Sequence, residues 1–351
     1  MPFDELAGFL SPEPRFRAAQ VFKWVAAGVA AFDEMRNLPA GLRAGLARRC
    51  FLRPQAVAEK RRCDDGSTKL ALAFADGARV EAVLLADSSA KREGEQGPAR
   101  LTACLSTQAG CPAGCVFCKT GSMGFARNLS PSEIVEQFLL LKAQAEEMAP
   151  GERGQGRSVS NIVVMGMGEP LLNLPSLRKA LAVISDDRGM NFSPRRVTVS
   201  TCGIARGIID LADNGPAARL ALSLTTADEV LRRRLMPLTA GIPLREVKEA
   251  LRYFQSRGGG RITLEAALLG GINTRAKDAQ DMALFAAGLD ATVNLIPWNP
   301  VKGLKFEDAP LREPPPAEVE IFAQRLKALG LSVTQRFRRG RGIAGACGQL
   351  G

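Results

Sequence analysis

From residue 101 onward, short apolar or β-branched runs alternate with amphipathic helical patterns, and this alternation constrains the fold most strongly. We predict strands at 101–105, 161–165, 196–200, 219–224, 261–267 and 293–297, with helices at 131–148, 175–186, 204–213, 243–257, 276–288 and 316–329. Six β-α units in succession imply a parallel sheet with right-handed crossovers. A doubly wound sheet would fit the same pattern. Residues capable of chemistry recur at the C-terminal ends of several strands, as in barrel enzymes, which favours an α/β fold with a partial (β/α)6 TIM-type barrel.

Three further regions surround the predicted barrel, which spans 99–300. We predict that residues 1–55 form a small helical accessory domain, with helices at 15–27, 32–35 and 39–49. Residues 56–98 are expected to contain a β-hairpin at 68–86 that turns at Asp76-Gly77, followed by a flexible connector at 87–99. Residues 301–351 are expected to form a C-terminal helix, a strand and a tail.

Three cysteines follow the first predicted strand at C-x3-C-x2-C spacing, namely Cys111, Cys115 and Cys118. Three thiolates in so short a segment can hold a cubane iron–sulfur cluster and leave one iron without a protein ligand, whereas such clusters usually have four cysteine ligands. Thiolates also select zinc and copper(I), so the spacing alone leaves the metal open. The motif therefore predicts a metal centre with one open coordination position.

The composition narrows the chemistry further. The chain has no histidine among its 351 residues, which excludes every Cys/His zinc pattern and every histidine general base. It has only 8 cysteines, no apolar leader and no apolar run of the roughly 18 residues that a membrane span needs. We therefore expect a cytoplasmic protein with reduced cysteines and no membrane association, where clustered thiols indicate metal binding or catalysis.

Positive charge exceeds negative charge, with 47 Lys and Arg against 36 Asp and Glu, a formal net charge of +11. Each basic run alone could be ordinary solvated surface. Together they favour a polyanionic partner, because many dispersed basic side chains contact phosphates in nucleic-acid complexes. We assign this role to the helical accessory domain and to other basic clusters, namely Arg15, Arg17, Lys23, Arg43, Arg48, Arg49, Arg53, Lys60, Arg61, Arg62, Arg232–Arg234, Arg336, Arg338, Arg339 and Arg341.

Polar or glycine-rich turns end four of the predicted strands. They contain Gly168-Glu169 after the second strand, Ser200 at the third, Ser223-Leu224-Thr225 at the fourth and Asn299 at the sixth. Each turn alone is explicable as capping or turn chemistry. Their shared placement at strand ends predicts a ligand site there.

Two isolated cysteines and one carboxylate also stand out. Cys104 lies near the end of the first predicted strand, and Cys347 lies in the tail beside several arginines, which could lower its pKa and make it reactive. A lone cysteine is otherwise a small buried hydrophobe, and we keep that interpretation for Cys50, Cys63 and Cys202. Glu81 lies in an alternating strand and would ordinarily face solvent.

The cysteine motif after the first strand, with a GxGEP turn after the second, resembles the radical S-adenosylmethionine (SAM) superfamily. Longer strings are more specific, and together they are similar to the RlmN/Cfr family of adenosine methyltransferases. The resemblance covers nearly the whole chain from about residue 15. The strings that carry it are Ser106–Cys111, Gly124–Leu129, Gly166–Leu171, Leu295–Pro300 and Ala346–Leu350.

The resemblance implies two cofactors and the residues that bind them. A 4Fe-4S cluster would be held by Cys111, Cys115 and Cys118, and its open iron would chelate SAM. An external electron donor of the flavodoxin type would reduce the cluster, and the protein would be a monomer. Further contacts to SAM would come from Gly168, Glu169, Ser200, Ser223, Leu224, Thr225 and Asn299.

The resemblance also implies a mechanism. One SAM would methylate Cys347, and a deoxyadenosyl radical from a second SAM would abstract hydrogen from that methyl group, whose carbon would then add to adenine. Cys104 would remove a ring proton or resolve the adduct through a disulfide with Cys347, and Glu81 would be a proton acceptor. Such a route suits an electrophilic ring carbon that an ordinary methyl donor cannot alkylate.

The implied substrate is carbon 2 of an adenosine in 23S rRNA and in tRNA, with Cfr-type methylation of carbon 8 as the alternative. Outside the family, a non-catalytic RNA-binding protein with a structural zinc on four cysteines, including Cys104, also remains open. Two positions depart from the family pattern. Thr225 replaces the histidine of Ser-Leu-His-Ala, and Gly342 replaces the acidic residue before the isoleucine of the tail.

Overall fold

The computed structural model describes residues 1–53, 55–87, 100–148, 158–335 and 339–351. The predicted connector at 87–99 lies outside these ranges except for Asp87. Arg336 and Arg338, two members of the predicted basic set, also lie outside them.

Ten strands form one sheet within the described residues, and its order is β1-β2-β3-β4-β7-β8-β9-β10-β11-β14. The first four pair antiparallel, and from β4 onward every neighbour is parallel. Two small hairpins, β5–β6 and β12–β13, stand apart from this sheet. The strands are β1 (Gln55–Arg62), β2 (Thr68–Phe74), β3 (Arg79–Asp87), β4 (Arg100–Cys104), β5 (Gln108–Gly110), β6 (Phe125–Asn128), β7 (Asn161–Val164), β8 (Val197–Thr201), β9 (Arg219–Ser223), β10 (Ile262–Leu268), β11 (Ala291–Pro297), β12 (Lys305–Phe306), β13 (Ala309–Pro310) and β14 (Val333–Gln335).

Helices precede the sheet and connect its parallel strands. Those in the first 50 residues, together with a 3-10 turn at Phe32–Glu34, confirm the predicted helical N-terminal region. The long crossover helices lie between consecutive parallel strands, as a right-handed β-α-β arrangement requires. The helices are α1 (Phe3–Phe9), α2 (Arg15–Ala26), α3 (Ala40–Arg49), α4 (Lys119–Ser122), α5 (Pro131–Glu146), α6 (Leu174–Ser185), α7 (Ala205–Asn214), α8 (Glu229–Leu235), α9 (Leu244–Ser256), α10 (Ala276–Ala286) and α11 (Pro316–Ala328).

Local sequence explains where these elements begin and which face they bury. A capping box begins α5, since the side chain of Ser130 accepts from the Glu133 N–H while the side chain of Glu133 accepts from the Ser130 N–H. The crossover helices pack against the parallel strands, and the buried residues of both form an apolar core that also includes Phe3 and Phe22 of the N-terminal helices. The partial barrel and the helical N-terminal region are therefore confirmed.

Observed strand ends lie within two residues of the predicted ends, but several elements were not predicted. The β1 strand, the β5–β6 hairpin and the short helix α8 fall in segments whose periodicity is weak. The predicted hairpin, β2 and β3, joins the barrel sheet, because β3 pairs with β4 from Val83 opposite Cys104 to Asp87 opposite Arg100. In the part of the chain that the structure describes, no helix is long and apolar enough to cross a bilayer.

Candidate active site

A cavity of about 180 Å³ opens at the C-terminal ends of the parallel strands. Because all parallel strands point the same way, residues far apart in the sequence converge on this one edge of the sheet. The three cysteines of the motif and most of the predicted strand-end residues contribute to its wall. The lining includes Cys111, Cys115, Cys118, Gly168, Glu169, Ser200, Ser223, Thr225, Glu265, Asn299 and Cys347.

Backbone hydrogen bonds hold the cysteine loop at the mouth of this cavity. The N–H of Cys111 donates to the carbonyl of Gly124 over 2.8 Å, and the N–H of Val116 donates to the carbonyl of Leu235 over 3.0 Å. The N–H of Cys118 donates to the carbonyl of Cys115 over 3.1 Å, which closes a tight turn before α4. Hydrogen bonds to Gly124 and to Leu235 of α8 thus fix the cysteine loop in place.

The thiols of this loop lie close enough to influence one another. Burial raises the pKa of Cys111 to about 12, with a further contribution from the charges of Glu169 and Cys118. Burial, followed by the charges of Cys118 and Cys111, also raises the pKa of Cys115 well above its usual range. Burial therefore disfavours the thiolate form of both side chains.

The donor set fits a cluster with three protein ligands. In a cubane cluster each thiolate binds a different iron, so the thiols surround the cluster and need not meet at one point. Three partly exposed thiols around one cavity, with a fourth position left open, fit that geometry.

Glu169 presents a buried carboxylate beside the cysteine loop. Its side chain is 3% exposed. One carboxylate oxygen accepts from the N–H of Leu171 over 3.0 Å, and the other accepts from the N–H of Cys202 over 2.7 Å. Burial raises the pKa of Glu169, although these hydrogen bonds oppose the shift. A cationic group on a ligand would therefore stabilise the ionised form of Glu169.

Hydroxyl groups from neighbouring strands form the wall opposite the cysteine loop. The hydroxyl groups of Ser200 and Ser223 lie 3.1 Å apart, and Ser200 also donates to the carboxylate of Glu265 over 3.4 Å. Thr225 follows β9 with a φ of 59°, a left-handed conformation that is costly for a β-branched residue. The structure brings these residues together, whereas Leu224 is fully buried and does not line the cavity.

Asn299 lies at the boundary between the barrel and the tail. Its side-chain N–H donates to the carbonyl of Cys347 over 3.1 Å. Its side-chain oxygen is buried and has no hydrogen-bond partner among the residues that the structure describes. A buried acceptor without a partner is costly unless a ligand supplies a donor. Asn299 therefore provides a specific position for a donor group on a bound molecule.

The C-terminal tail, residues 339–351, lies across the end of the barrel and is held by groups from both sides of it. On the side of the cysteine loop, the N–H of Lys119 donates to the carbonyl of Gly348 over 2.8 Å. The hydroxyl of Thr120 donates to the carbonyl of Leu350 over 2.6 Å. The side chain of Gln349 donates to the carbonyl of Pro300 over 3.1 Å.

The antiparallel strands hold the other side of the tail through an ion pair. Lys69 and Glu81 lie on β2 and β3 and form a 2.8 Å salt bridge with side chains 7% and 15% exposed. Lys69 also donates to the carbonyl of Ala344 over 3.2 Å, and Glu81 accepts from the N–H of Gly351 over 3.0 Å. Glu81 is therefore mostly buried under the tail rather than in solvent, and it does not contribute to the wall of the cavity.

A second, smaller cavity of about 50 Å³ adjoins the first. Its wall contains Cys104, which is 7% exposed at the end of β4, and Cys347 from the tail. Cys347, Asn299, Met165 and Ile296 contribute to the walls of both cavities. The tail thus places Cys347 between the space bordered by the cysteine loop and the space bordered by Cys104.

Several residues at this site were missed from the sequence. Glu265 lies inside the otherwise apolar strand β10, and a carboxylate in a buried strand is a signal that could have found it. Arg232 was assigned to an exposed basic run, and that assignment is wrong, because this side chain is 2% exposed. Lys69 contacts the tail across 275 residues, and nothing in the local pattern indicates that contact.

The rest of the predicted basic set is mainly on the surface, but much of its charge is paired. Exposed arginines without an ion pair among the described contacts include Arg48 at the end of α3. The neighbouring Arg49 stacks on the ring of Phe9 at 4.5 Å. Members with carboxylate partners are Arg15, Arg53, Lys60, Arg61, Arg234, Arg339 and Arg341.

Comparison with known proteins agrees with this architecture. Residues 105–283 match the model of the Radical SAM superfamily. Residues 4–52 match the model described as the ribosomal RNA large subunit methyltransferase N-terminal domain. The two matches cover the barrel and the N-terminal helices, which the structure shows as parts of one molecule.

The similarity extends over almost the full length of individual relatives. The "Probable dual-specificity RNA methyltransferase RlmN" of Treponema pallidum (strain Nichols) is 48% identical over 339 residues, which cover 96% of this chain and 92% of that one. The "Dual-specificity RNA methyltransferase RlmN" of Nitratidesulfovibrio vulgaris (strain Hildenborough) is 39% identical and covers 100% of this chain and 93% of its own. The crystal structure of a radical SAM methyltransferase from Sphaerobacter thermophilus superimposes with a TM-score of 0.90 at 36% identity, covering 100% and 97% of the two chains. This chain therefore belongs to the RlmN family of radical SAM methyltransferases.

Proposed function

We propose that this methyltransferase transfers a methyl group to carbon 2 of an adenosine in 23S rRNA and in tRNA, with Cys347 as the methyl carrier. The observation that supports the proposal most strongly is that Cys347 lines both cavities. A methyl carrier must contact the methyl donor on one side and the acceptor base on the other. Cys347 has access to a separate cavity on each side. Membership of a methyltransferase family removes the non-catalytic zinc protein from consideration.

The residues around the larger cavity fit the two cofactors of the superfamily. Cys111, Cys115 and Cys118 would hold a 4Fe-4S cluster, and the cavity behind them would hold SAM. When bound, the cluster would supply the electron that cleaves one SAM molecule, and another SAM molecule would supply the methyl group. The unpartnered oxygen of Asn299 would accept a hydrogen bond from SAM, and so we propose this residue as a binding contact. Further contacts would come from Gly168, Glu169, Ser200, Ser223, Leu224 and Thr225, of which Leu224 can contribute only through its backbone because its side chain is fully buried.

Cys347 and Cys104 would divide the covalent work. The thiolate of Cys347 attacks the methyl carbon of SAM, a carbon–sulfur bond forms, and S-adenosylhomocysteine leaves. That methyl group would lose one hydrogen atom to the radical that SAM supplies, and its carbon would join adenine. Cys104 then removes the ring proton, loses it again and, as a thiolate, attacks the sulfur of Cys347. The bond between that sulfur and the transferred carbon breaks, the carbon keeps the electron pair and takes up a proton to become a methyl group, and a Cys104–Cys347 disulfide forms as the methylated base leaves. Before the next cycle, an external reductant must reduce the disulfide, and a flavodoxin-type protein would donate the electron to the cluster.

Glu81 is predicted to accept a proton, and its contacts add a second role. Its carboxylate is paired with Lys69 and accepts from the backbone of Gly351, so it fixes the end of the segment that carries Cys347. Two roles for one carboxylate are separable, because a glutamine at this position keeps the oxygen acceptor and loses the base.

The RNA partner is supported by the net charge of +11 and by the exposed basic residues of the N-terminal helices. Phosphate contacts release counterions, so binding should weaken steeply as salt rises. We also expect a monomer in the cytoplasm. Affinity for 23S rRNA fragments and tRNA, measured at several salt concentrations, tests this part, and an affinity independent of salt would contradict it.

The central experiment uses a variant that should stop the reaction halfway. Cys104→Ala should still allow Cys347 to be methylated and to join adenine, but the adduct cannot be released by thiol–disulfide chemistry. Nuclease digestion and mass spectrometry should show a nucleotide-sized addition on the tail peptide. Cys50→Ala, at the end of the N-terminal helices, is the matched control and should turn over normally. Normal turnover by Cys104→Ala would overturn the assignment.

Regiochemistry is tested on the product of the unmodified enzyme. Nucleoside digestion of methylated RNA should yield 2-methyladenosine, which is chromatographically distinct from 8-methyladenosine. A product methylated only at carbon 8 would favour the Cfr-type alternative while leaving the cysteine mechanism intact.

A further inference from the structure

Arg232 is a buried cation directly behind the cysteine loop. It lies on α8, where Leu231 and Leu235 share its buried face, and it is 2% exposed. Its guanidinium donates to the backbone carbonyls of Cys202 and Leu224, and a weaker bond of 3.3 Å reaches the carbonyl of Ser223. The guanidinium therefore joins the C-terminal ends of β8 and β9, where Cys202 and Ser223 line the larger cavity.

These contacts leave the positive charge uncompensated. Within the described part of the chain, no carboxylate lies within ion-pair distance of Arg232, and its Nε is buried without a hydrogen-bond partner. Burial lowers the pKa of the Arg232 guanidinium, and the ionisable groups that oppose this shift are the thiols of Cys202 and Cys115 and the exposed carboxylate of Glu229. Because a guanidinium keeps its charge in proteins, a fixed cation faces the cysteine loop.

We propose that Arg232 is a positioning residue whose fixed positive charge stabilises the reduced state of the iron–sulfur cluster bound by the neighbouring loop. This inference rests on the proposed function, because it assumes the cluster. It explains why, among the described residues, the hydrogen-bond partners of this buried cation are neutral, namely three backbone carbonyls and the thioether sulfur of Met236. Its negative counterpart is the cluster with its thiolate ligands.

The sign of the effect follows from the charges. Thiolate ligation makes the cluster a net anion, and acceptance of one electron from the external donor adds one more negative charge. A nearby cation in a low-dielectric site stabilises the more negative state more strongly. Arg232 should therefore raise the reduction potential of the cluster and make the electron transfer that begins SAM cleavage easier.

The chain provides a matched control beside the residue itself. Arg233 follows Arg232 on the same helix but is exposed, so the same loss of charge there is screened by water. Glutamine at either position removes one positive charge and retains hydrogen-bond donors. Arg232→Gln and Arg233→Gln thus differ mainly in the distance and the medium between the lost charge and the cluster.

The experiment is a dye-mediated redox titration of the reconstituted cluster, followed by electron paramagnetic resonance. Arg232→Gln should lower the ratio of reduced to oxidised cluster at a given potential about tenfold, a shift of about 59 mV to more negative potential for one electron. Arg233→Gln should change the ratio less than twofold. Equal potentials for the wild-type protein and Arg232→Gln, with the same cluster content, would overturn the inference.

Arg232→Lys separates charge from structure. Lysine retains the charge but lacks the wide, planar set of donors with which the guanidinium spans these carbonyls. The ratio of reduced to oxidised cluster at a given potential should therefore stay within twofold of the wild-type ratio, even if thermal unfolding of the cluster-free protein shows a loss of stability. This variant also decides the question if Arg232→Gln does not fold, because a tenfold shift in Arg232→Lys would indicate a purely structural effect and contradict the proposal. A wild-type protein that takes up no cluster would refute the proposed function itself, which is a different outcome from an unchanged potential.

Discussion

The barrel end and the C-terminal tail both contribute to one site, but they are held in place by different means. At the barrel end, Ser200, Ser223 and Glu265 come from strands that are hydrogen-bonded in register, with Glu265 opposite Ser223 on the neighbouring strand. In the tail, the segment with Cys347 pairs with no strand of the described ranges, and individual hydrogen bonds position it. The site therefore combines a rigid binding surface with a segment that can be released by breaking a few contacts.

This difference suits the role proposed for Cys347, which would act on two molecules in turn. Groups that bind a cofactor benefit from a rigid scaffold, since small displacements weaken several contacts together. A carrier that meets first a donor and then a large substrate requires an attachment that can open locally. If the tail opens locally, substitutions in the tail should leave cofactor binding at the barrel end unchanged.

The largest expected effect comes from removing the thiol of the proposed methyl carrier, Cys347. Cys347→Ala should abolish methylation of RNA, because no other described cysteine lines both cavities. Cluster content should stay near that of the wild-type protein, since the three thiols of the loop are unchanged. Cys115→Ala should instead lose the cluster. Iron and sulfide analysis together with a methylation assay separates the two cases, and a Cys347→Ala protein that lacks the cluster would contradict their independence.

The next effect concerns the ion pair under the tail. Lys69→Met leaves the buried carboxylate of Glu81 without its cation and removes the hydrogen bond to Ala344. Breaking such a pair by removing one partner should lower the free energy of unfolding by about 3 kcal/mol. Urea unfolding measures this loss, and methylation should fall as well because the tail is less well held.

A double variant shows how much of that loss is due to the unpaired charge. In Lys69→Met combined with Glu81→Gln, no buried charge is left unpaired, so most of the stability should return. Methylation should remain low, because the contact between Lys69 and the tail is still absent. Full recovery of methylation in the double variant would show that the ion pair does not position the tail.

Much of the barrel end could be predicted from the sequence because its positions follow a local periodicity. The strands were predicted within two residues of their observed ends, and the residues after them necessarily meet at one edge of a parallel sheet. Arg232 was misassigned because three consecutive arginines look like a solvated run. Its spacing beside Leu231 and Leu235, which lie one helical turn apart, indicates the buried face of α8 and could have corrected this.

The anchoring of the tail could not be predicted in this way. Its hydrogen bonds join residues that are far apart in the chain, such as Thr120 to Leu350 and Lys69 to Ala344, and many use backbone carbonyls that carry no residue-specific signal. The burial of Glu81 could not be predicted for the same reason. An alternating strand predicts that its face is exposed, and the tail that covers this face is 270 residues away in the sequence. The resemblance to a family indicated that Cys104 and Cys347 act together, but only the structure shows them in the wall of one cavity.

A smaller effect is expected from a single contact on the other side of the tail. The hydroxyl of Thr120, which is 3% exposed, donates to the carbonyl of Leu350. Thr120→Val preserves the shape of the side chain and leaves that carbonyl without its partner, which should cost about 2 kcal/mol. Because the contact is local, we expect faster hydrogen exchange in the tail with a smaller change in global unfolding. An equal loss in both measurements would indicate that the tail and the barrel unfold as one unit.

The smallest effect tests the barrel end, at the cap of the helix that carries Arg232. The carboxylate of Asp228 accepts from the N–H groups of Val230 and Leu231 over 2.9 and 3.1 Å, so Asp228→Ala should lower the free energy of unfolding by about 1 kcal/mol. The hydrogen bond from Leu231 is the main cause that lowers the pKa of Asp228 in the folded protein, and the bond from Val230 adds to it. For an acid with a lowered folded pKa, the ionised form contributes its full stabilisation above the unfolded pKa of about 3.9 and loses it as the pH falls through the folded pKa. The difference between the two proteins should therefore be constant near neutral pH and become smaller in acid, which urea unfolding of the cluster-free proteins at about pH 7 and about pH 3 can measure. A difference that grows in acid would show that the carboxylate does not stabilise the helix in its ionised form.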